Sequence, residues 1–303
     1  MLTCDEYVMP TTLAEAFAAM AANRGRYRIV AGATDTLPWA REGRAGDVDI
    51  PVLIDVSRID ELNALQVGSA RVRIGAATPM QRFLDDPSLG RALPGMPRCA
   101  VWFADDQIRA QATVGGNIVN ASPAADATPC LIAHNAAVEL ASANGRRRMP
   151  LHEFVIGPNR TALADGELLL AIECDALPGY GGSFEKVGHR RSLVISLVCL
   201  AVLVKLDRDG QILEDVRLAI AGIGPVPRQL RDIEDFLRGT AVSAERLEDA
   251  AGMLSHDLVQ SRTRHGYRRD VMRGFLVRGL INAAKRGGAN PNALSSVLEA
   301  AYV

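Results

Sequence analysis

Two stretches of the 303-residue chain concentrate glycine and short polar side chains. The longer, Thr113-Val114-Gly115-Gly116-Asn117-Ile118-Val119-Asn120-Ala121-Ser122-Pro123-Ala124-Ala125-Asp126, sets paired glycines among Thr113, Asn117, Asn120, Ser122 and Asp126. Paired glycines let a backbone approach a ligand closely. That density of small donors and acceptors suits a phosphate, ribityl or ribose partner. Ile118, Val119, Pro123 and Leu131 make the segment read as a substantially buried loop. Buried polar groups need partners, and a bound cofactor supplies them. The shorter stretch, Val30-Ala31-Gly32-Ala33-Thr34-Asp35-Thr36-Leu37-Pro38, leaves a strand with consecutive N–H groups and few bulky side chains. Such oriented amides can wrap a pyrophosphate without a cation's desolvation cost. Taken alone, a turn with one glycine is more often structural.

Other chemistries find no support. There is no G-x-x-x-x-G-K-[ST] phosphate loop and no G-x-S-x-G elbow. Gly222-Ile223-Gly224-Pro225 lacks the third glycine of a dinucleotide fingerprint, and Pro225 spoils the helix start. His134, His152, His189, His256 and His265 show no metal-ligand spacing, so each reads as a surface or satisfied structural histidine. The five cysteines are scattered singly, which argues against an iron–sulfur cluster or zinc ribbon and for reduced, mostly buried thiols. No catalytic residue and no metal ligand is assigned to this chain.

The elements that must position the two stretches follow from the pattern. Thr12-Leu13-Ala14-Glu15 is a capping box that opens a helix to about Asn23. Tyr27–Val30 and 52–56 read as strands, giving a strand-helix-strand opening. A hairpin is expected around Gly68-Ser69, then helices over 80–85 and 89–103, a hairpin of 137–141 with 147–151, and a strand at 168–174. Pro178-Gly179-Tyr180-Gly181-Gly182-Ser183 is the expected boundary between domains. Strands are expected beyond it at 184–187, 196–206 and 216–223, then helices over 232–238, 244–254 and 267–285. The basic run Arg146-Arg147-Arg148 after Asn144-Gly145 reads as a solvated strand edge. A formal net charge of -1 argues against nucleic-acid binding. The longest apolar run, 193–204, is too short to insert in a membrane and is interrupted by Ser196 and Cys199. The N-terminus lacks the layout of a secretory signal, so a cytoplasmic location is expected.

The stretch T-V-G-G-N-I-V-N-A-S-P-A-A-D closely resembles the FAD-binding signature of the medium subunits of molybdenum hydroxylases, the carbon monoxide dehydrogenase and xanthine dehydrogenase family. A-G-A-T-D-T-L-P resembles that family's other pyrophosphate loop, A-G-G-T-D-L, with Ala33 in place of its second glycine. Further matches run in order along the chain: Phe154 to Pro158, Gly166 to Leu169, Phe184-Glu185-Lys186 with Arg190, and Tyr267-Arg268-Arg269 before a helix.

The resemblance implies an α+β fold: a two-lobed FAD-binding domain of the vanillyl-alcohol oxidase (PCMH) type at 1–177, with lobes of about 1–57 and 58–177. A C-terminal domain of carbon monoxide dehydrogenase flavoprotein type would follow at 183–303, a small antiparallel sheet with helices. Ala31, Gly32, Ala33, Thr34, Asp35, Thr36 and Leu37, with Gly115, Gly116 and Asn117, would hold the pyrophosphate. Thr113 and Asp126 would bond phosphate or sugar hydroxyls, and Ser122 belongs to the same cofactor-binding group. Phe103 and Leu169 would pack on the flavin and adenine ends. Lys186 would lie near a flavin carbonyl, favouring the anionic reduced form. Phe184 stands where relatives often carry tyrosine. Leu193 and Val194 replace the acidic pair of xanthine dehydrogenases, which speaks against specific NAD binding. The implied partners are a large subunit with a molybdopterin cofactor and a small subunit with 2Fe-2S clusters, which feeds FAD here. Electrons would leave to an acceptor such as NAD, quinone or oxygen. The competing reading is a stand-alone FAD-dependent oxidase or dehydrogenase with its own organic substrate.

Overall fold

A computed structural model describes residues 1–190, 194–254, 258–260, 263–294 and 297. The expectations placed on Leu193 and His256 lie outside these residues. The first lobe is β1 (Glu6–Val8), α1 (Leu13–Ala22), β2 (Tyr27–Val30), α2 (Thr36–Arg41) and β3 (Val52–Asp55). Both strand pairs are parallel, in the order β1-β3-β2. Thr12 caps α1 as the capping box predicts, its hydroxyl accepting from the Glu15 N–H while Glu15 accepts from the Thr12 N–H. β1 was not expected, because its three residues show one weak alternation and stay half exposed.

The second lobe runs α3 (Asp60–Asn63), β4 (Leu65–Val67), β5 (Arg71–Gly75), α4 (Arg82–Asp85), α5 (Pro87–Ala92), α6 (Met96–Trp102), α7 (Asp106–Gln111), α8 (Val114–Asn120), α9 (Ala127–Ala133), β6 (Ala137–Ser142), β7 (Gly145–Pro150), α10 (Leu151–Phe154), β8 (Val155–Gly157), β9 (Arg160–Thr161) and β10 (Leu168–Asp175). Its antiparallel sheet has the order β4-β5-β10-β6-β7. The single helix expected over 89–103 is two helices, because Pro94-Gly95 interrupts it and Pro97 restarts it at the first turn of α6. At the exposed edge, Arg146, Arg147 and Arg148 of β7 pair with Glu139, Glu167 and Glu173.

The last part is β11 (Gly181–Val187), β12 (Val198–Leu206), β13 (Leu213–Ala221), β14 (Arg228–Gln229), α11 (Arg231–Leu237), α12 (Ala244–Gly252) and α13 (His265–Arg286). Part of the stretch read as turn-forming is strand instead. Gly181, Gly182 and Ser183 belong to β11 and are buried. A Cβ on Gly181 would lie 1.9 Å from the Ala283 carbonyl oxygen, and one on Gly182 2.4 Å from the Pro94 carbonyl. These glycines permit close packing rather than a turn. Side chains alternate across a strand, and β12 is apolar on both faces for that reason. Cys199, Ala201 and Leu203 join the core of the first two lobes, while Val198, Leu200, Val202 and Val204 join a second core under α11, α12 and α13. The antiparallel sheet is thus shared between the two parts of the α+β molecule. Arg268, from the expected closing motif, is buried and donates to the Leu197, Gly222 and Thr263 carbonyls.

Candidate functional site

The first stretch begins where β2 ends beside β3, with Val30 opposite Asp55. Among the described residues, none of the consecutive amides from Gly32 to Thr36 donates a hydrogen bond to the protein. Ala33 has φ 53°, the left-handed conformation, which costs an alanine roughly 1 kcal/mol. Gly32 is irreplaceable on steric grounds, since a Cβ there would sit 2.0 Å from the Gln111 carbonyl oxygen. That contact lays 31–37 directly against the segment entering α8. Across the same seam Asn120 Nδ2 donates to Asp35 Oδ2 at 2.8 Å, and Asn159 Nδ2 donates to the Asn120 carbonyl at 2.8 Å. The two stretches singled out in the sequence are neighbours. A row of free amides is an anion seat, because each N–H carries partial positive charge without a mobile cation.

The second stretch is not a loop. Val114–Asn120 is α8, and Thr113 caps it by accepting from the Gly116 N–H at 3.0 Å. The Val114 and Gly115 amides donate to Thr78 and Ala76 carbonyls at 3.0 and 2.8 Å, and that of Asn117 to Thr113. A Cβ on Gly115 would come within 2.5 Å of Ala76 Cβ. Gly115 therefore seats the helix on 76–78, and its amide is already committed, unlike those of 32–36. What the segment leaves open lies in side chains. Asn117 Oδ1 and Thr78 Oγ1 are buried without a hydrogen-bond partner. Orphaned groups of this kind cost about 1–3 kcal/mol each unless something pairs with them. A sugar hydroxyl can donate to Asn117 Oδ1, and the Thr78 hydroxyl can donate to a phosphate oxygen or pair with a sugar hydroxyl. Thr78 carries no sequence signal, since Ala77-Thr78-Pro79 reads as ordinary turn chemistry.

Asp126 and Lys186 are brought together. Lys186 Nζ donates to Asp126 Oδ2 at 2.6 Å and to the Trp102 carbonyl at 3.1 Å, and Ser196 Oγ donates to Asp126 Oδ1 at 2.6 Å. The lysine and aspartate side chains are only 3% and 9% exposed. Burial pushes the Asp126 carboxyl up, while Lys186, Ser196 and the Cys199 thiol pull it down. Ser196 was read in the sequence only as an interruption of an apolar run, and that interruption was its signal. Beside the pair opens a cleft of about 360 Å³ lined by Trp102, Lys186, Val187, Gly188, His189, Arg190 and Val194. Phe103 is partly buried against the core, and Arg109, itself buried, donates to its carbonyl at 2.9 Å. Leu169 and Phe184 are buried in that core, and the Ser122 hydroxyl accepts from the Ala124 N–H at 3.3 Å.

His134 corrects an expectation. It is fully buried, and neither ring nitrogen has a hydrogen-bond partner, so it is not a satisfied histidine. Burial lowers its pKa to about 3. A Cβ built on Gly95 would lie 3.7 Å from His134 Nε2 and 3.8 Å from Cys130 Sγ.

Family models match almost the whole chain: the FAD binding domain in molybdopterin dehydrogenase over residues 3–174, and the CO dehydrogenase flavoprotein C-terminal domain over 183–283. The chain is similar to the glyceraldehyde dehydrogenase medium chain of Sulfolobus acidocaldarius, 31% identical over 281 residues, covering 92% of this chain and 98% of that one. It is 30% identical over 262 residues to a putative xanthine dehydrogenase FAD-binding subunit of Escherichia coli strain K12, covering 85% and 87%. Among solved structures it resembles a chain of reconstituted CO dehydrogenase from Oligotropha carboxidovorans, with a TM-score of 0.86 at 25% identity, covering 94% and 99%.

Proposed function

Because the chain belongs to the family of FAD-binding medium subunits of molybdenum hydroxylases, we propose that FAD seats on the free amides of Gly32 to Thr36 and reaches along the face of α8 toward Lys186. It is an oxidoreductase component, the FAD-binding electron-transfer subunit of a complex with a large and a small partner. The molybdopterin cofactor and the iron–sulfur clusters are carried by those partners. The observation that carries the placement is the run of unpaired amides behind a glycine that tolerates no side chain.

In this reading Ala31 to Leu37 hold the pyrophosphate mainly through the backbone N–H groups of Gly32 to Thr36. Asn117 Oδ1 accepts from a sugar hydroxyl and the Thr78 hydroxyl donates to a phosphate or sugar oxygen, which relieves their burial without partners. Thr113, Gly115 and Gly116 shape α8 against that ligand, and Ser122 and Asp126 continue the polar lining. Phe103 and Leu169 supply apolar contact at the two ends, Phe184 packs behind the ring without a hydroxyl, and Lys186 lies near a flavin carbonyl. Bound FAD supplies the redox chemistry that collects electrons singly and releases them in pairs. The protein's share is to bind, orient and set the local field. We assign 1–177 to the FAD-binding domain, with lobes of about 1–57 and 58–177, and 183–303 to the C-terminal domain. An acceptor of the NAD, quinone or oxygen class approaches through the cleft beside Trp102. Among the described residues no helix is long and apolar enough to cross a membrane, and we place the complex in the cytoplasm.

The test is an absorption spectrum of the purified chain before and after acid precipitation. Flavin bands that move to the supernatant establish a non-covalent flavin. A colourless chain that also fails to take up added FAD overturns the placement.

A further inference from the structure

The buried Lys186 is not a lone cation. Asp126, from the FAD-binding part, and Lys186, from β11, meet at 2.6 Å across the junction of the two parts. Each has further ties. Lys186 also donates to the Trp102 carbonyl, and Asp126 Oδ1 receives the Ser196 hydroxyl at 2.6 Å. Together these contacts hold two opposite charges in a space with almost no water, where a charge acts far more strongly than at the surface. An unpaired ammonium beside a flavin would favour the anionic reduced form and raise its potential. An ammonium with its counter-ion at hydrogen-bond distance presents only the field of a small dipole.

We infer that Asp126 and Ser196 are positioning residues that cancel the charge of Lys186, so that the flavin meets a neutral ion pair rather than a cation. The inference rests on the reading that places Lys186 beside the flavin. Ser196 matters because a buried carboxylate keeps its charge only while donors satisfy it. Its hydroxyl is one of the donors to Asp126. Both Lys186 and Ser196 come from the C-terminal part, so the field at the flavin is set only when the two parts are docked.

The test uses the full-length chain loaded with FAD. Flavin content is measured first, because an empty wild-type chain counts against the FAD site itself and not against the charge pairing. The flavin midpoint potential is then compared for the wild type, Lys186→Gln, Asp126→Asn and the double variant. Lys186→Gln is expected to lower the potential and Asp126→Asn to raise it. The double variant, whose two amides keep the shape without the charges, is expected to return to the wild-type value. A double variant as low as Lys186→Gln overturns the inference, because it means the lysine acts alone. Should Asp126→Asn not fold or retain flavin, Ser196→Ala decides: it is expected to raise the potential, and Ser196→Thr to restore it. An unmoved potential in flavin-loaded Ser196→Ala overturns the role of the serine, and unmoved potentials throughout overturn the whole.

Discussion

At the scale of single residues, two side chains sit where their chemistry is unfavourable. Ala33 holds a left-handed φ of 53°, so Ala33→Gly is expected to stabilise the FAD-free chain by about 1 kcal/mol. Denaturant unfolding checks this, and a loss of stability would mean that the alanine methyl packs better than the strain costs. His134 is buried neutral, with its pKa lowered by burial from 6.5 to about 3. Above about pH 6.5 neither state is protonated and the contribution is fully present. Below it the unfolded chain takes a proton that the folded chain refuses, and stability falls toward about pH 3 at roughly 1.4 kcal/mol per pH unit. His134→Leu is therefore expected to flatten the pH dependence of stability between pH 6.5 and 4 by about one proton. Parallel curves for the two proteins would count against it. Nothing in the sequence distinguished His134 from His152, because spacing says nothing about which ring lands under a packed glycine such as Gly95.

At the scale of elements, legibility followed the strength of the local signal. The capping box at Thr12 and the strand Tyr27–Val30 were readable because their residues need only near neighbours. The same holds for the hairpin of β6 and β7. α8 was not readable as a helix, since glycines disfavour one and only the surroundings restore it: Gly115 rests on Ala76, and the first amides find carbonyls at 76 and 78. The glycine-rich stretch, singled out for its ligand chemistry, lies against the first loop, and its Gly115 serves packing. Thr113→Ala is expected to cost about 1 kcal/mol of stability in the FAD-free chain through loss of the N-cap, with Thr113→Ser close to wild type. Equal stabilities would show that tertiary contacts alone hold the helix. Gly182, read as a turn residue, is a point of backbone contact with Pro94. Gly182→Ala is expected to destabilise by about 1–3 kcal/mol, visible as a lowered unfolding temperature.

At the scale of the molecule, two cores share β12, and charges stitch the parts together. Arg217 of β13 binds Asp175 of β10 at 2.8 Å, and Asp175 also pairs with Arg71. With Lys186 and Asp126 linked as well, the parts are expected to unfold in one transition. FAD at a hundredfold excess over its Kd is expected to shift that transition by about 2.7 kcal/mol. Calorimetry checks this: two transitions, only one of them moved by FAD, would show that the shared strand does not couple the parts. This coupling was invisible in the sequence, where 198–206 reads as any buried strand, and both-sided burial belongs to the packing of distant segments.

The arginine edge on β7 has a consequence for handling the chain without its partners. A sheet's outer strand is an open template that another molecule's strand can extend into an aggregate. Here an added strand would have to lie against three arginines already engaged with Glu139, Glu167 and Glu173, bringing like charges together or breaking those pairs. Replacing all three arginines with valine would leave the fold's core untouched and remove that barrier, and the expected result is a chain that polymerises on standing.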